Sequence, residues 1–271
     1  MSHEPDPNGA SGAGAAPAGG NTATSSSSSS GGVVHQGGGT QSGGTQSGGT
    51  TGSGTQPPPD PLALHQSCAG TASGGVLDSI EATVRWINAQ PKPLTLACFL
   101  QSLQKPLKLN ATYSIVSAQP SMGTRSPRLF IFFDGLILSV VPEGTGSSLL
   151  ELGQLDGETR TVKAEIQFPV TQTLAPEAPF ERVLYMQAFA TVCGGCHGSE
   201  ARYESIAYAK AYVSKAIRPE PSYAVPLSTL QRELAVCDDT LEFDRCEMLR
   251  ALQQGGPISQ DFPPGMSTSF F

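Results

Sequence analysis

The hydrophobic positions between residues 76 and 103 recur with helical spacing. In 76–88 they fall every three or four residues, which predicts an amphipathic helix that ends before Pro91. The short apolar segment 94–103 follows and carries Cys98. A bond from Cys98 to Cys68 would close a short loop around that helix, so Cys68 is its most economical partner. Two unrelated buried thiols are the alternative.

From 107 to 170 the hydrophobic period changes to two, which is typical of strands. Asp134-Gly135 and Asp156-Gly157 each separate two such runs, and Asp-Gly is a frequent turn in two-residue hairpins. The pattern predicts an antiparallel unit of about five strands with its second face in solvent, because antiparallel sheets commonly bury only one face. The predicted strands are 107–116, 128–133, 136–141, 149–155 and 159–168.

A proline-punctuated segment, 169–179, follows the strands and marks the predicted domain boundary. Beyond it the spacing is again helical, and the first of the new helices leads directly into Cys193. The expected fold is therefore α+β: an antiparallel β unit with a flanking helix in 61–170, followed by an all-α domain in 171–271. The helices predicted for the second domain are 179–192, 199–217, 226–236 and 243–254.

The first 60 residues differ in composition from the rest of the chain. They are mainly Gly, Ser, Thr, Ala, Gln and Pro, and a Gly-Gly-Thr-Gln-Ser pentad at 38–42 repeats at 43–47. Such a segment cannot bury enough apolar surface to offset the entropy lost on ordering, so we expect a disordered tail over 1–60. The N-terminus shows neither the basic nor the apolar region of a signal peptide. We expect a lost leader, because tails of this kind often follow the lipid-bearing cysteine of bacterial lipoproteins.

The net charge and the positions of the cysteines limit which partners and which disulfides we expect. The net charge of −7 argues against nucleic acid and anionic membranes as partners, and no apolar run approaches the length of a membrane span. Cys237 and Cys246 flank the bend between the last two predicted helices, which favours a disulfide across that bend. The six cysteines stand at 68, 98, 193, 196, 237 and 246.

Cys193-Gly-Gly-Cys196-His197 is the most informative motif, because C-x-x-C-H is the sequence at which haem is attached covalently to a protein. The two thiols can add to the vinyl groups on one edge of a haem, and His197 then lies beneath the iron as its proximal ligand. The two glycines remove Cβ atoms where the backbone presses against the macrocycle. Three other interpretations remain: a thioredoxin-like redox pair, a zinc site completed by Cys237 and Cys246, and a plain disulfide.

The region 179–256 resembles a c-type cytochrome domain. The resemblance rests on the haem-attachment motif, on the helix predicted before it, and on Phe189, four residues before Cys193. It implies one covalent haem c in an electron-transfer protein, with His197 as proximal ligand and Phe189 packed on the haem edge. It also implies that the last helix crosses the first. Three features depart from the family: Tyr185 stands where glycine is frequent, no methionine-bearing loop precedes the last helix, and the β unit has no counterpart.

The sequence does not identify the sixth iron ligand, because the methionine-bearing loop of the family is missing. Met248 and Met266 are the methionines that follow the motif. Met248 lies within a predicted helix, where packing is its expected role. Met266 follows the stiff turn Phe262-Pro-Pro-Gly, which could carry its thioether over the far face of the haem. The alternatives are a frayed tail around Met266, a ligand from the β unit, and an open iron site.

The leading functional hypothesis is a periplasmic or outer-surface electron carrier with one haem. It would have a redox partner protein, no membrane span and, if a leader is missing, a lipid anchor. An enzyme is less favoured, because we recognise no paired-carboxylate site and no nucleophile–base set. One alternative is a haem sensor or peroxidase with an open iron site, for which the distal histidine would have to be His65, from outside the haem domain. The other is a haem-free secreted interaction protein held by three disulfides.

Overall fold

The alternating runs between 107 and 170 form five consecutive antiparallel strands, as predicted. They are seen in a computed structural model that describes residues 60–117, 119–185 and 190–268. In both Asp-Gly turns the glycine has a positive φ, 73° at Gly135 and 69° at Gly157, which glycine adopts at little cost. The strands are β1 Lys108–Thr112, β2 Arg128–Phe132, β3 Leu136–Val140, β4 Leu149–Asp156 and β5 Arg160–Gln167.

Two sequence-based expectations fall on residues that the structure does not describe. The tail expected to be disordered, 1–60, lies outside the described residues except for Asp60. Phe189, expected to pack on a haem edge, also lies outside them. Both expectations therefore stay predictions.

One face of the five strands carries the side chains of the core. The register pairs Leu129 with Val140 and Leu138 with Leu152, so alternate positions of neighbouring strands stack on one side of the sheet. These side chains are buried and form one apolar cluster with side chains of the helices. The helices are α1 Ile80–Ala89, α2 Leu96–Ser102, α3 Ala178–Glu181, α4 Gly194–His197, α5 Leu227–Ala235 and α6 Phe243–Gln253, with a 3₁₀ turn at Pro221–Tyr223.

The helices that cover this face begin at recognisable caps. Ser79 accepts a hydrogen bond from the backbone N–H of Ala82 at the start of α1, and Thr95 accepts one from Cys98 at the start of α2. The helices predicted at 76–88, 226–236 and 243–254 are confirmed within a few residues as α1, α5 and α6. α2 packs against α6, and α6 against α5.

The C-terminal part of the chain extends the same sheet, and the expected all-α cytochrome c-like domain is wrong. Strands β6 Ala201–Arg202, β7 Tyr212–Lys215, β8 Ile217–Arg218, β9 Ile258–Ser259 and β10 Ser267–Thr268 follow the antiparallel unit. The eight-stranded order is β6-β7-β5-β4-β3-β2-β1-β9, and β10 pairs with β8 in a small second sheet. The helix predicted at 199–217 is therefore absent from this region. β5 would otherwise expose an unpaired edge, and pairing with β7 outweighs the helical spacing of that segment.

The helix predicted at 179–192 is also wrong over most of its described length. Among its described residues only α3 is helical. Leu184 forms an antiparallel bridge with Thr191, and the N–H of Tyr185 donates to the carbonyl of Ala190. One continuous helix over 179–192 would not allow this pairing.

Both predicted disulfides are present. Cys68 and Cys98 have Cα atoms 5.5 Å apart, and Cys237 and Cys246 have Cα atoms 5.7 Å apart. The first bond ties the segment before α1 to α2, and the second ties the end of α5 to α6. Among the described residues, no helix is long and apolar enough to cross a membrane.

Candidate functional site

The second face of the sheet forms the floor of a pocket, whereas the sequence predicted that this face lies in solvent. The register places Ser139 of β3 beside Glu151 of β4, and Gly153 of β4 beside Lys163 of β5. These side chains point away from the core because their neighbours along each strand are the buried apolar residues. Alternation alone cannot show what covers a polar face. The floor residues include Arg128, Phe130, Ile137, Ser139, Glu151, Gly153, Thr161, Lys163 and Glu165.

Two segments from the C-terminal part of the chain form the sides of the pocket. The Cys193–His197 motif lies on one side, where α4 packs against β7. The other side is the segment that precedes β10. There Phe262 packs edge-on against Phe130 and Phe132, with ring centroids 4.8 Å and 5.1 Å away. The cavity volume of the pocket is about 190 Å³.

His197 is held in the form that binds metals. Its Nδ1 lies 2.8 Å from the backbone carbonyl oxygen of Lys215, and because a carbonyl only accepts, Nδ1–H is the donor. Nε2 therefore keeps its lone pair. Burial lowers the pKa of His197 to about 3, and the positive charges of Lys163 and Arg128 act in the same direction. A neutral imidazole whose Nδ1–H is fixed by a carbonyl is the usual arrangement of a metal-ligating histidine.

Cys193 and Cys196 are free thiols that also line the pocket. Burial raises the pKa of Cys193 to about 11, whereas a thioredoxin-like pair needs a thiol whose pKa is lowered. Cys237 and Cys246 are bonded to each other, so they cannot complete a zinc site. The geometry therefore supports neither the redox pair nor the zinc site, and the two thiols do not form the third disulfide.

Glu200 positions the chain that enters the motif. Its carboxylate accepts hydrogen bonds from the backbone N–H of Ala190, 3.0 Å away, and from the backbone N–H and hydroxyl of Thr191. The Thr191 hydroxyl in turn accepts from the N–H of Cys193 at 3.2 Å. Sequence reasoning missed Glu200, since nothing in its neighbourhood indicates that the chain folds back there.

Met266 is buried and lines the same pocket as His197. Its N–H donates to the carbonyl of Pro263 at 3.2 Å, so the Phe262-Pro-Pro-Gly turn holds the residue in place. Met248 is buried in the apolar core within α6 and does not line the pocket. The structure thus brings Met266 together with the motif and gives Met248 a packing role.

His65 lies away from the pocket, in a cluster with Asp239 and Glu247 on α6 and the segments beside it. Its Nδ1 is 3.5 Å from a carboxylate oxygen of Asp239. The ligand atoms of the three residues lie within 4.8 Å of one another, but Arg250 donates hydrogen bonds to both carboxylates. Arg250 already supplies the positive charge that a metal ion would bring, so the cluster is structural.

Four charged side chains of the pocket region are paired and two are not. Arg128 pairs with Glu151, and Glu165 pairs with Arg182. Lys163 and Arg218 make no hydrogen bond or ion pair with the described residues, and both line the pocket. Burial lowers the pKa of Lys163 to about 8. Lys163 lies in the strand predicted at 159–168, but the sequence did not single out either cation.

Comparison of the chain with protein-family models, with curated proteins and with solved structures finds no match.

Proposed function

We propose that the pocket binds one haem, attached covalently through Cys193 and Cys196, and that the protein is an extracytoplasmic electron carrier. The observation that carries the proposal is the state of His197. Its imidazole is neutral, its Nδ1–H donates to the Lys215 carbonyl, and its Nε2 has no hydrogen-bond partner among the described residues and shares the pocket with two free thiols. An axial histidine of a covalently attached haem needs each of these properties.

The residues of the pocket fit a haem in polarity as well as in ligands. Phe130, Ile137, Val183 and Phe262 supply apolar surface for a macrocycle. The hydroxyl of Thr161, which lines the pocket, is buried without a hydrogen-bond partner among the described residues. A bound group would relieve the cost of that unpaired atom.

Each residue of the motif has a separate task in this proposal. A bound haem supplies a one-electron couple. Cys193 and Cys196 form thioethers to it, which fixes its edge to α4. The Lys215 carbonyl orients the His197 ring through Nδ1, and Met266 offers a thioether from a different segment of the pocket wall. Cys196 and Val192 are exposed, so the attached edge lies at the surface, where electrons can be exchanged with a partner protein.

The compartment follows from the cysteine chemistry. Disulfides are typical of proteins from oxidising compartments, and the described residues contain two. Haem attachment to two thiols is carried out in the same kind of compartment. The proposal therefore places the protein in the periplasm or on the outer surface, with a redox partner protein and, if a leader is missing, a lipid anchor.

A haem protein with an open iron site is the second candidate function. It is favoured by Lys163, whose ammonium lies in the pocket without a partner in the described part of the chain and could hold a molecule bound at the iron. His65 is engaged with Asp239, so a histidine-assisted peroxidase is not supported. The haem-free interaction protein agrees with the two disulfides but gives no role to His197 or to the pocket.

Covalent haem is tested by expressing the chain with a signal peptide and the haem-attachment machinery. A denaturing gel stained for haem peroxidase activity should show a stained band for the wild type and none for Cys193→Ala with Cys196→Ala. Cys68→Ala with Cys98→Ala also removes two sulfurs, but away from the pocket, and should keep the stain. An unstained wild-type band, with the polypeptide present, would refute the proposal.

A further inference from the structure

The pocket holds more positive charge than its own side chains neutralise. Arg128 donates to Glu151, and Glu165 accepts from Arg182, so these charges are balanced. Lys163 and Arg218 have neither a hydrogen bond nor an ion pair within the described ranges. The whole chain is acidic, with a net charge of −7, so two unpaired cations in one pocket are not a consequence of its overall composition.

Of these two cations, Arg218 is the one with a buried donor atom that lacks a hydrogen-bond partner among the described residues. It lies on β8, where Arg218 pairs with Thr268 of β10, and β8 lines the same pocket as Met266. Its Nε is inaccessible to water and has no hydrogen-bond partner among the described residues. A buried donor without a partner is destabilising, and a carboxylate is the group that a guanidinium fork matches best.

We propose that Arg218 binds a carboxylate of the molecule held in the pocket. This inference rests on the proposed function, in which that molecule is a haem carrying two propionates, and it assigns one propionate to Arg218. Lys163 supplies a second positive charge to the same pocket. The two unpaired cations and the two propionates are then equal in number and opposite in charge.

The placement of Arg218 agrees with how the motif would hold a haem. The thioethers fix one edge of the ring, and the propionates leave from the opposite edge. Arg218 follows Lys215, whose carbonyl orients His197, by three residues.

The experiment measures how the reduction potential of the holoprotein depends on pH. Ionisation of a propionate adds negative charge, so the potential falls as pH rises through the propionate pKa. Arg218 favours the ionised form and holds that pKa low. Arg218→Gln should therefore move this step to higher pH by about one unit or more. Arg218→Lys keeps the charge and should leave the step close to that of the wild type.

Arg85→Gln is the matched control, because it removes the same charge from an exposed ion pair on α1, outside the pocket. Its pH profile should equal that of the wild type. A profile for Arg218→Gln that coincides with that of Arg85→Gln would overturn the assignment while leaving covalent haem intact. A wild type without haem would overturn both proposals.

If Arg218→Gln does not accumulate, a crystal structure of the wild-type holoprotein decides the matter. A guanidinium–propionate hydrogen bond supports the assignment, and a separation beyond hydrogen-bond reach overturns it.

Discussion

Burial lowers the pKa of two residues of the pocket, His197 and Lys163, but with different consequences. It stabilises the neutral imidazole, which is the form that can donate its Nε2 lone pair to a metal. It destabilises the Lys163 ammonium, which has no partner among the described residues and whose pKa falls to about 8. His197 is thus held neutral, whereas the Lys163 ammonium is a charge that costs stability while it has no partner.

Replacing Lys163 with methionine should stabilise the apoprotein at pH 7. The substitution removes a partly buried ammonium and keeps a flexible chain of similar length, and we expect a gain of about 1–2 kcal/mol in the free energy of unfolding. Below the folded-state pKa of about 8 the lysine is charged in both states, so the gain is fully present. It should fade as pH rises from about 8 to the ordinary value of 10.5, because the wild-type lysine then loses its proton on folding.

Chemical denaturation at several pH values measures this difference. Lys210→Met is the control, since Lys210 is exposed and its removal should change the free energy of unfolding by less than about 0.5 kcal/mol. Equal effects of the two substitutions would show that the Lys163 ammonium is well solvated in the pocket.

The role of Met266 is best tested by leucine, which keeps the bulk of the side chain and removes the sulfur. If Met266 ligates the iron, Met266→Leu should abolish the weak near-infrared sulfur-to-iron band of the oxidised holoprotein. It should also lower the reduction potential, because a thioether ligand raises it. Met248→Leu removes a sulfur from α6, outside the pocket, and should change neither property. An intact near-infrared band in Met266→Leu would remove Met266 from the iron.

At the scale of elements, the disulfide between Cys237 and Cys246 connects α5 to the buried side of α6. Cys246 is fully buried, and Arg245 beside it donates to Glu233 and Glu242. Replacing both cysteines with alanine should lower the free energy of unfolding by about 2–4 kcal/mol, which denaturant titration measures. The disulfide between Cys68 and Cys98 closes a loop of 30 residues instead of 9. Replacing these two cysteines with alanine should therefore lower the free energy of unfolding by at least as much. A loss within the experimental error for Cys237→Ala with Cys246→Ala would contradict a stabilising role.

The elements that the sequence predicted well are those defined by local chemistry. Gly135 and Gly157 mark two hairpins because their turns require a positive φ. α5 is amphipathic over whole turns, and the distance along the chain between Cys237 and Cys246 indicated the bond between them. These features depend on residues close together in sequence, so neighbouring residues are sufficient to predict them.

The elements that the sequence predicted badly are those defined by distant partners. The segment 199–217 has helical spacing, but the open edge of β5 is paired by β7 within it. The pocket was missed for the same reason. Lys163 and Glu151 alternate with core residues in the way that solvent-facing residues do, and only the fold shows that the motif covers them. Cys193, Cys196, His197 and Met266, which the sequence predicted as haem ligands, line one pocket, although the predicted fold around them was wrong. Their role as ligands stays a prediction.

At the scale of the whole molecule, the pocket is assembled from both halves of the chain. The floor belongs to β2–β5, whereas the motif, Arg218 and Met266 come from the C-terminal part. The strands cross the boundary predicted near residue 170, because β7 pairs with β5 and β9 pairs with β1. A haem held in this pocket would therefore be supported by a sheet, and the helices would stabilise the sheet from its other face.

This arrangement predicts that the fragment 171–271 cannot fold or hold haem in the native way when expressed alone. Its strands β7 and β9 would lose their pairing with β5 and β1, and β7 would lose Thr161 and Val162 as partners. The fragment should give the circular dichroism spectrum of an unfolded chain, and any attached haem should have no fixed sixth ligand. The fragment 60–271 keeps the whole sheet and is the matched control, which should fold cooperatively and show the spectrum of the complete protein. A fragment 171–271 that folds and reproduces that spectrum would show that an autonomous cytochrome domain exists after all, and that the floor of the pocket is dispensable.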